Sequence, residues 1–374
     1  MGLDKELDGF TIVAMEQAVA APYCSLLLAD AGARVIKIER PEGDFARGYD
    51  KGADGQSVWF AWLNRGKQSV VIDYTTPDGA ALMYRLIAKA DVFLHNLAPD
   101  ALARHGFSDA ALRQHNPGLI NLQISGYGTD GAAASMKAYD FLVQAESGIC
   151  AVTGTKDQPS RVGVSLCDIA TGLTAFSAVL RGLLQRSKTG KGFELSITMF
   201  DVLTEWMNMP LLAHRYLPNK PERMGLTHSL LAPYGAYACK DGKQILIAIQ
   251  NDREWAGFCH KVLQRSDMAT HSDFSSNADR VANRAVLDAV IIAVFASKSR
   301  TELAKTLQDS KIAWSNFNTL EDVENHLFLH QITARFGTAE IKLVDLPVKI
   351  DGQRPTNVPM LGQHTAAIRQ EFAE

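Results

Sequence analysis

The chain begins as short apolar runs separated by stretches of helical length. Phe10 to Met15 reads FTIVAM, Arg34 to Ile38 RVIKI, Ser69 to Asp73 SVVID, Asp91 to His95 DVFLH and Leu119 to Ile124 LINLQI. Runs this short and this rich in β-branched residues are buried strands. Between them lie helical segments, Ala21 to Ala31 with Leu26, Leu27 and Leu28, and Pro77 to Ala90. Strand and helix in alternation predict an α/β fold, a mostly parallel sheet covered on both faces.

A long helix is expected over 167–187, where Ile169, Leu173, Phe176, Leu180 and Leu183 recur at helical spacing. Gly190-Lys191-Gly192 ends it, Phe193 to Ile197 follows as a strand, and Met199 to Arg215 as a second long helical stretch. The pattern then breaks at LPNKPERMG, residues 217–225, a Pro-rich polar linker. A second unit follows from Tyr234, with Gln244 to Ile249 as a strand and helical stretches from Asp252 to Leu307, running to about residue 335. From Val344 the tail carries Pro347, Pro355 and Pro359, extended at first and then briefly helical. The length of 374 residues fits two domains, or one large domain with an insertion.

Composition narrows the partners. With 47% apolar and 21% charged residues and a formal charge of −3, the chain has the proportions of a soluble globular protein. Nothing in that balance attracts nucleic acid or an anionic membrane, so neither is expected as a partner, and an anionic ligand must be gripped by local bases. No apolar run is of bilayer length, and MGLDKELDGF lacks the blocks of a signal peptide. Cys24, Cys150, Cys167, Cys239 and Cys259 are scattered, with no CxxC pair to imply a disulfide framework or a zinc site. The expectation is a cytoplasmic protein with no metal.

Several residues then carry candidate chemistry. Gly126-Tyr127-Gly128-Thr129-Asp130-Gly131 fits G-x-G-x-x-G behind a strand. It follows the fifth strand rather than the first, and AAASMKAYD after it is not clearly helical, so a Gly-rich loop at a strand's carboxyl end is expected. Open sheets bind ligands at that edge. Asp168, in GVSLCDIATGLTAF, stands just before an apolar helical run. Taken alone it reads as a helix N-cap. The chemical alternative is a carboxylate nucleophile, kept ionised by the helix terminus, that attacks a thioester carbonyl to give an acyl anhydride. Cys167 beside it has no evident His partner and reads as a buried thiol.

Arg40, with Lys37 nearby, closes the second strand. Asn64, Arg65 and Lys67 lie in WLNRGKQS, read as a polar loop, and Arg104 in LAPDALARHGF. Each alone is an ordinary surface residue. Together, near the ends of neighbouring strands, they suit a phosphate-rich ligand. Tyr139-Asp140 reads as a buried Tyr beside a capping Asp, and His228 and Ser229 follow the linker in GLTHSLLAPYGAY.

Block by block, the chain resembles the class III CoA-transferase family, which also contains the alpha-methylacyl-CoA racemases. LDGFTIVAMEQAVAAPYCSLLLADAGARVIKIERPEGDFAR, LNRGKQSVVID, ADVFLHNLAPDALARHGF, ISGYGTDG, VGVSLCDIATG, QRSKTGKG, APYGAYACKDGKQILIAIQNDREW and VPMLGQHT carry the likeness over nearly the whole chain. The resemblance implies a Rossmann-like large domain, residues 1–215 plus 340–374, an inserted smaller α+β domain, 216–339, and an interlocked homodimer. Asp168 falls on the family's aspartate nucleophile. Arg40, Asn96, Leu97 and Arg104 fall on positions lining the CoA site, with Lys67 assigned to it, and Lys137 and Tyr139 fall beside the active site as further contacts of the CoA ester. Val19, Ala20, His228 and Ser229 are assigned to the acid substrate. Acyl-CoA and a carboxylic acid are then the partners, with the CoA thioester a substrate and no cofactor permanently bound.

Two departures narrow the activity. Racemase relatives carry a His-Asp pair where this chain has Tyr139-Asp140, and a phenol with an ordinary pKa of ~10 is a poor base for inverting a carbon centre. Formyl-CoA:oxalate transferases carry a run of consecutive glycines where this chain has HSLLAPYGAY, which weighs against oxalate or formate. EQAVAAP, KAYD and HSLLAPYGAY look most like transferases that take CoA from succinyl-CoA to itaconate, mesaconate or citramalate. The competing readings are an acyl-CoA isomerase, by racemization or by moving CoA between two carboxylates of one molecule, and a CoA-binding protein without catalysis.

Overall fold

The computed structural model describes residues 3–373 apart from Pro99 and Asn219. One residue each of LAPDALARHGF and of the predicted linker therefore lies outside the described residues, as do the two ends of the expected large domain. The chain divides into two compact units, one of Met1–Ile149, Arg161–Met209 and His330–Glu374, the other of Cys150–Ser160 and Pro210–Leu329.

In the first unit β1 (Thr11–Met15), α1 (Ala20–Asp30), β2 (Arg34–Glu39), α2 (Val58–Asn64), β3 (Lys67–Val71), α3 (Pro77–Ala88), β4 (Val92–His95), α4 (Asp109–His115) and β5 (Ile120–Ser125) alternate. α5 (Asp140–Glu146), a single turn α6 (Ile149–Val152), the long α7 (Leu166–Thr189), β6 (Phe193–Thr198) and α8 (Met199–Trp206) follow. Six strands form one sheet in the order β3-β2-β1-β4-β5-β6, every pair parallel. This is the doubly wound order, in which the winding reverses between β1 and β4 and opens a crevice at the strands' carboxyl ends.

Strand alternation divides the core. Ile12, Ala14, Val35, Val92 and Leu94 face Cys24 and Leu28 of α1 and Ala175 and Val179 of α7. Val13, Met15, Ile36, Ile38 and Phe93 face Leu82, Met83, Leu86 and Ile87 of α3. A sheet covered on both sides requires strands that are apolar on both sides, and this is the run pattern read from the sequence.

α7 ends at Gly190, whose φ of +68° suits glycine. Among the described residues it is the one helix whose length and composition would let it cross a bilayer, with 44% of that apolar window buried. Its packing against α1, β5 and β6 makes it a core helix. Two expected elements differ. The loop over WLNRGKQS is partly helix: Ser57 caps α2 by accepting from the Phe60 N–H, and seven residues are too few for a period to show. The stretch Met199 to Arg215 breaks near Met207 into α8 and α9 (Asn208–Tyr216), because Pro210 has no N–H to offer a continuing helix.

In the second unit β7 (Tyr234–Ala238), β8 (Gln244–Ala248) and β9 (Ala313–Asn316) form an antiparallel sheet. α10 (Asp252–Phe258), α11 (Asn277–Ala282), α12 (Arg284–Phe295), α13 (Arg300–Asp309) and α14 (Leu320–Glu324) accompany it. Ile245, Ile247, Trp255, Phe258 and Phe295 form its core. The chain then returns to the first unit as a hairpin, β10 (Gln331–Phe336) and β11 (Ala339–Val344), with β12 (Asn357–Val358) beside it and α15 (Thr365–Glu371) at the end. Ala334, Phe336 and Ile341 of this hairpin pack with Phe60 and Val358. The hairpin thus belongs with the first unit, where the sequence pattern had run the second unit to about residue 335.

Candidate active site

Beyond the carboxyl ends of β1 to β4 lies a cleft of about 250 Å³, bordered by Met15, Gln17, Arg40, Tyr74, Leu97 and Ala101 among others. Of the residues expected to hold CoA, Arg40 and Leu97 line it. Asn96 is turned to another task. Its Oδ1 accepts from the Gln17 N–H at 3.0 Å and its Nδ2 donates to the Gln17 carbonyl at 2.9 Å, clamping the turn after β1. Arg104 is exposed in a 3₁₀ turn, its Nε donating to the Asp100 carbonyl at 3.2 Å, and it is not among the lining residues.

Lys67, expected at the CoA site, is turned into the protein interior. Its Nζ is closed to solvent and donates to Glu16 Oε1 at 2.7 Å, the Pro22 carbonyl at 3.0 Å and Asn64 Oδ1 at 3.1 Å. Lys37 is equally buried, donating to Asp44 Oδ2 at 2.9 Å and Glu16 Oε1 at 3.4 Å. Arg65 pairs with Asp30 at 3.0 Å. These charges are spent inside the protein, so the predicted phosphate-binding cluster shrinks to Arg40 and Arg104.

The two buried lysines differ in their surroundings. Burial lowers Lys37, but Asp44, Glu16 and Glu39 outweigh it and leave the ammonium above its usual range. Burial brings Lys67 down to about 8, because Glu16 alone opposes it strongly while Lys37 repels. Glu16 is pushed up by burial and pulled further down by both lysines, and ends below the usual carboxylate range.

Asp168 is the third residue of α7 and not its cap. Ser165 occupies the cap position without a side-chain bond. The cap comes from another helix: Asp140, at the start of α5, accepts through Oδ1 from the N–H groups of Cys167 at 2.8 Å and Asp168 at 3.2 Å. Its Oδ2 takes Gln144 Nε2 at 2.7 Å. Gly126 makes this approach possible, since a Cβ there would lie 2.2 Å from that of Ala138. No helix follows the Gly126–Gly131 loop before α5, so the dinucleotide turn is not formed.

With those N–H groups taken, the half-buried Asp168 carboxylate has no hydrogen-bond partner among the described residues. Burial, and then the negative charge of Asp140, pushes its carboxyl up to about 7. Tyr49 shares this environment: burial first, then Asp44, Asp168 and Tyr139, push its phenol up to about 12. Tyr139 is 61% exposed, not buried, because it precedes α5 on the outer side of the Asp140 cap. Lys137 is exposed as well. Cys167 is driven up to about 12 by burial, then by Asp168 and Asp140, with its Sγ 3.7 Å from the Met199 carbonyl. It stays a thiol at neutral pH and is no nucleophile.

One turn along α7, a Cβ on Gly172 would meet the Ala20 carbonyl at 2.5 Å. The start of α1 therefore sits directly on α7. Residues four apart share a helix face, so Asp168 is on the side of the turn Gln17–Val19. Val19 and Ala20, assigned to the acid substrate, are each only 4% exposed.

His228 and Ser229 belong to the second unit. His228 Nδ1 accepts from the Leu230 N–H at 3.1 Å, and its ring stacks on Tyr234 with centroids 5.1 Å apart. That bond leaves Nε2–H as a free donor on the neutral ring. Arg284 holds the loop by donating to the His228 carbonyl at 2.6 Å and the Leu231 carbonyl at 2.7 Å. Glu16, Asp44 and Tyr49 were missed in the sequence. The available signal was Lys37, a charge amid the apolar strand RVIKI, which demands a buried partner.

A profile of the family described as CoA-transferase family III matches residues 7–365. The chain is 34% identical to the acetyl-CoA:oxalate CoA-transferase of Acetobacter aceti, over 98% of its own length and 95% of that protein. It is 31% identical to the succinate–glutarate CoA-transferase of Agrobacterium fabrum, over 98% and 95%. Among solved structures, a CAIB/BAIF family protein from Brucella suis matches with a TM-score of 0.86 and 31% identity, covering 98% of this chain and 99% of that one.

Proposed function

The chain belongs to CoA-transferase family III and is a CoA-transferase, and from that premise we propose that it moves CoA from a succinyl-CoA-like donor to a small dicarboxylic acid, with Asp168 as nucleophile. The observation that carries this reading is the Asp168 carboxylate itself, half-buried, unpartnered among the described residues and pushed up to about 7. A carboxylate in a salt bridge is a poor nucleophile; one left unpaired and made more basic is a better one.

The proposed chemistry balances without a co-reactant. The ionised Asp168 attacks the donor thioester carbonyl and expels CoA thiolate, giving an aspartyl–acyl anhydride. The thiolate attacks the aspartyl carbonyl, the donor acid leaves as its carboxylate, and an aspartyl-CoA thioester remains. The acceptor carboxylate attacks that thioester and expels the thiolate again. The thiolate then attacks the acceptor's acyl carbonyl, releasing the new acyl-CoA and the Asp168 carboxylate. One thioester is exchanged for another, and the protein's contribution is proximity and electrostatics. Arg40 and Leu97 in the cleft suit the CoA moiety, with Arg104 outside its lining. An inserted small domain and an interlocked homodimer complete the proposal.

Relatives named for glutarate and oxalate support a dicarboxylic acceptor. Itaconate, mesaconate and citramalate remain the first acids to test. Oxalate joins them, because a 34% identical relative carries it in its name and the missing glycine run alone does not set it aside. The test is an assay with succinyl-CoA and a panel of labelled mono- and dicarboxylic acids. Formation of dicarboxyl-CoA esters is expected, and transfer confined to monocarboxylic acids would remove the dicarboxylate reading. Deuterium wash-in at the alpha carbon of the bound ester would restore the racemase.

A further inference from the structure

The turn between β1 and α1 is fixed by more groups than a connecting turn requires. Ala18 has a φ of +63°, a region that strains every residue but glycine. Asn96 clamps Gln17 from both sides, and Asp44 Oδ1 accepts from the Ala18 N–H at 3.2 Å. The same oxygen accepts from the Ala46 N–H at 3.0 Å and so caps the 3₁₀ turn Phe45–Gly48, which runs directly into Tyr49. Asp44 Oδ2 is held by Lys37 Nζ, which also donates to the Glu16 carbonyl at 3.3 Å. The side chains of Asp44 and Lys37 are both closed to solvent.

One buried carboxylate therefore joins two backbone segments, the first of them seated on the helix that carries the nucleophile. The first is the Glu16–Ala20 turn, seated on α7 next to Gly172. The second is the 3₁₀ turn Phe45–Gly48, which Asp44 caps and which runs into Tyr49. A buried ion pair is a weak source of stability, since desolvation offsets its attraction, and the strain at Ala18 is a further cost. Both costs fall on the backbone that faces Asp168.

We propose that Asp44 is a positioning residue for the transfer reaction, holding the left-handed turn at Ala18 and the turn leading to Tyr49 in the arrangement that attack at and by Asp168 requires. The inference rests on Asp168 being the nucleophile. Its physical content is that Asp44 acts through the N–H groups of Ala18 and Ala46, never on substrate. Removing it lets the Ala18 turn relax toward ordinary backbone angles and carries the wall of the site with it.

Asp44→Asn keeps the shape, but whichever way the amide is turned it sets an NH2 group against a donor, either Lys37 Nζ or the N–H groups of Ala18 and Ala46, so the side chain cannot keep its place between them. Displacement of the turn by about 1 Å is expected to lower kcat on the order of 10- to 100-fold; Gln17 and Asp44 also border the cleft, so KM for the CoA ester rises too, but by much less than kcat falls, because Arg40 and Leu97 are untouched. Adding Ala18→Gly, which makes φ of +63° free of strain, should return most of the lost kcat. Unchanged kcat in Asp44→Asn overturns the proposal. So does a loss that merely follows the folded fraction and is not rescued by glycine. Should Asp44→Asn fail to fold, Ala18→Val leaves the ion pair intact and places a β-branched residue where it is excluded; the same kcat loss with a much smaller rise in KM is expected, and retained kcat overturns the proposal. Asp168→Ala is assayed alongside. An active Asp168→Ala variant defeats the nucleophile reading itself, whereas an inactive one beside a fully active Asp44→Asn defeats the positioning role alone.

Discussion

Asp168 is a carboxylate placed where ionisation is costly, and that cost is measurable. Its carboxyl is raised from 3.8 to about 7 by burial and by Asp140. Between those values the native chain binds more protons than the unfolded one, so stability falls as pH rises through the window. Asp168→Asn removes the penalty. Thermal melts at about pH 8 should place the variant a few degrees above the wild type, with the gain gone at about pH 4. A variant less stable than wild type at the higher pH would mean that a partner holds the carboxylate. Since the ionised form attacks, kcat should rise through about pH 7, and Asp140→Asn should move that limb to lower pH by relieving the like charge. A limb unmoved by that substitution would assign it to another group.

At the same scale, Arg40→Ala should raise KM for the CoA ester about tenfold or more at nearly constant kcat, the worth of one charge-assisted bond. Arg104→Ala should act less, because Arg104 lies outside the cleft lining. Equal effects in a steady-state assay would return Arg104 to the site. What the sequence hid at this scale is direction. Lys37 and Lys67 read as bases near a strand end, but the strand register turns both inward, toward Glu16. Asp140 reads as a cap for its own helix, and it caps α7 from 28 positions earlier. Charge is visible in a sequence, whereas the partner that neutralises it across the fold is not.

Among the elements, β1 to β5 were legible to within a residue or two, because strands buried on both faces must be apolar throughout. α2 was not, being seven residues long and running at Leu63 into the polar LNRGKQS. The hairpin β10–β11 was hidden because its exposed alternate residues dilute the apolar signal, as in QITARF. The joint that matters most for the site is the close approach of α1 to α7. Gly172→Ala would put a methyl 2.5 Å from the Ala20 carbonyl. Forcing those helices apart should cost about 1–3 kcal/mol of stability, together with a fall in kcat that exceeds any rise in KM. Denaturant unfolding and steady-state kinetics read both. A fully stable, fully active Gly172→Ala protein would mean that the helices are not held this closely.

Across the whole molecule, a formal charge of −3 offers no general attraction for an anionic ligand. Binding instead follows the sheet: winding reverses between β1 and β4, and the cleft opens at those carboxyl ends with Arg40 on its border. The strand order could not be read from composition or period, which give strands but not their neighbours. The family likeness supplied a Rossmann-like large domain as an expectation and placed Asp168 on the family's nucleophile. The proposed reaction passes through a covalent bond to Asp168, and that bond can be looked for itself. The protein is incubated with acyl-CoA in the absence of acceptor, quenched in acid and digested. CoA joined through sulfur to the Asp168 carboxyl is expected in the peptide LCDIATG, absent from Asp168→Ala, and discharged when an acceptor acid is added before the quench. Turnover with no such adduct, or an acyl group carried on Cys167 in its place, would contradict it.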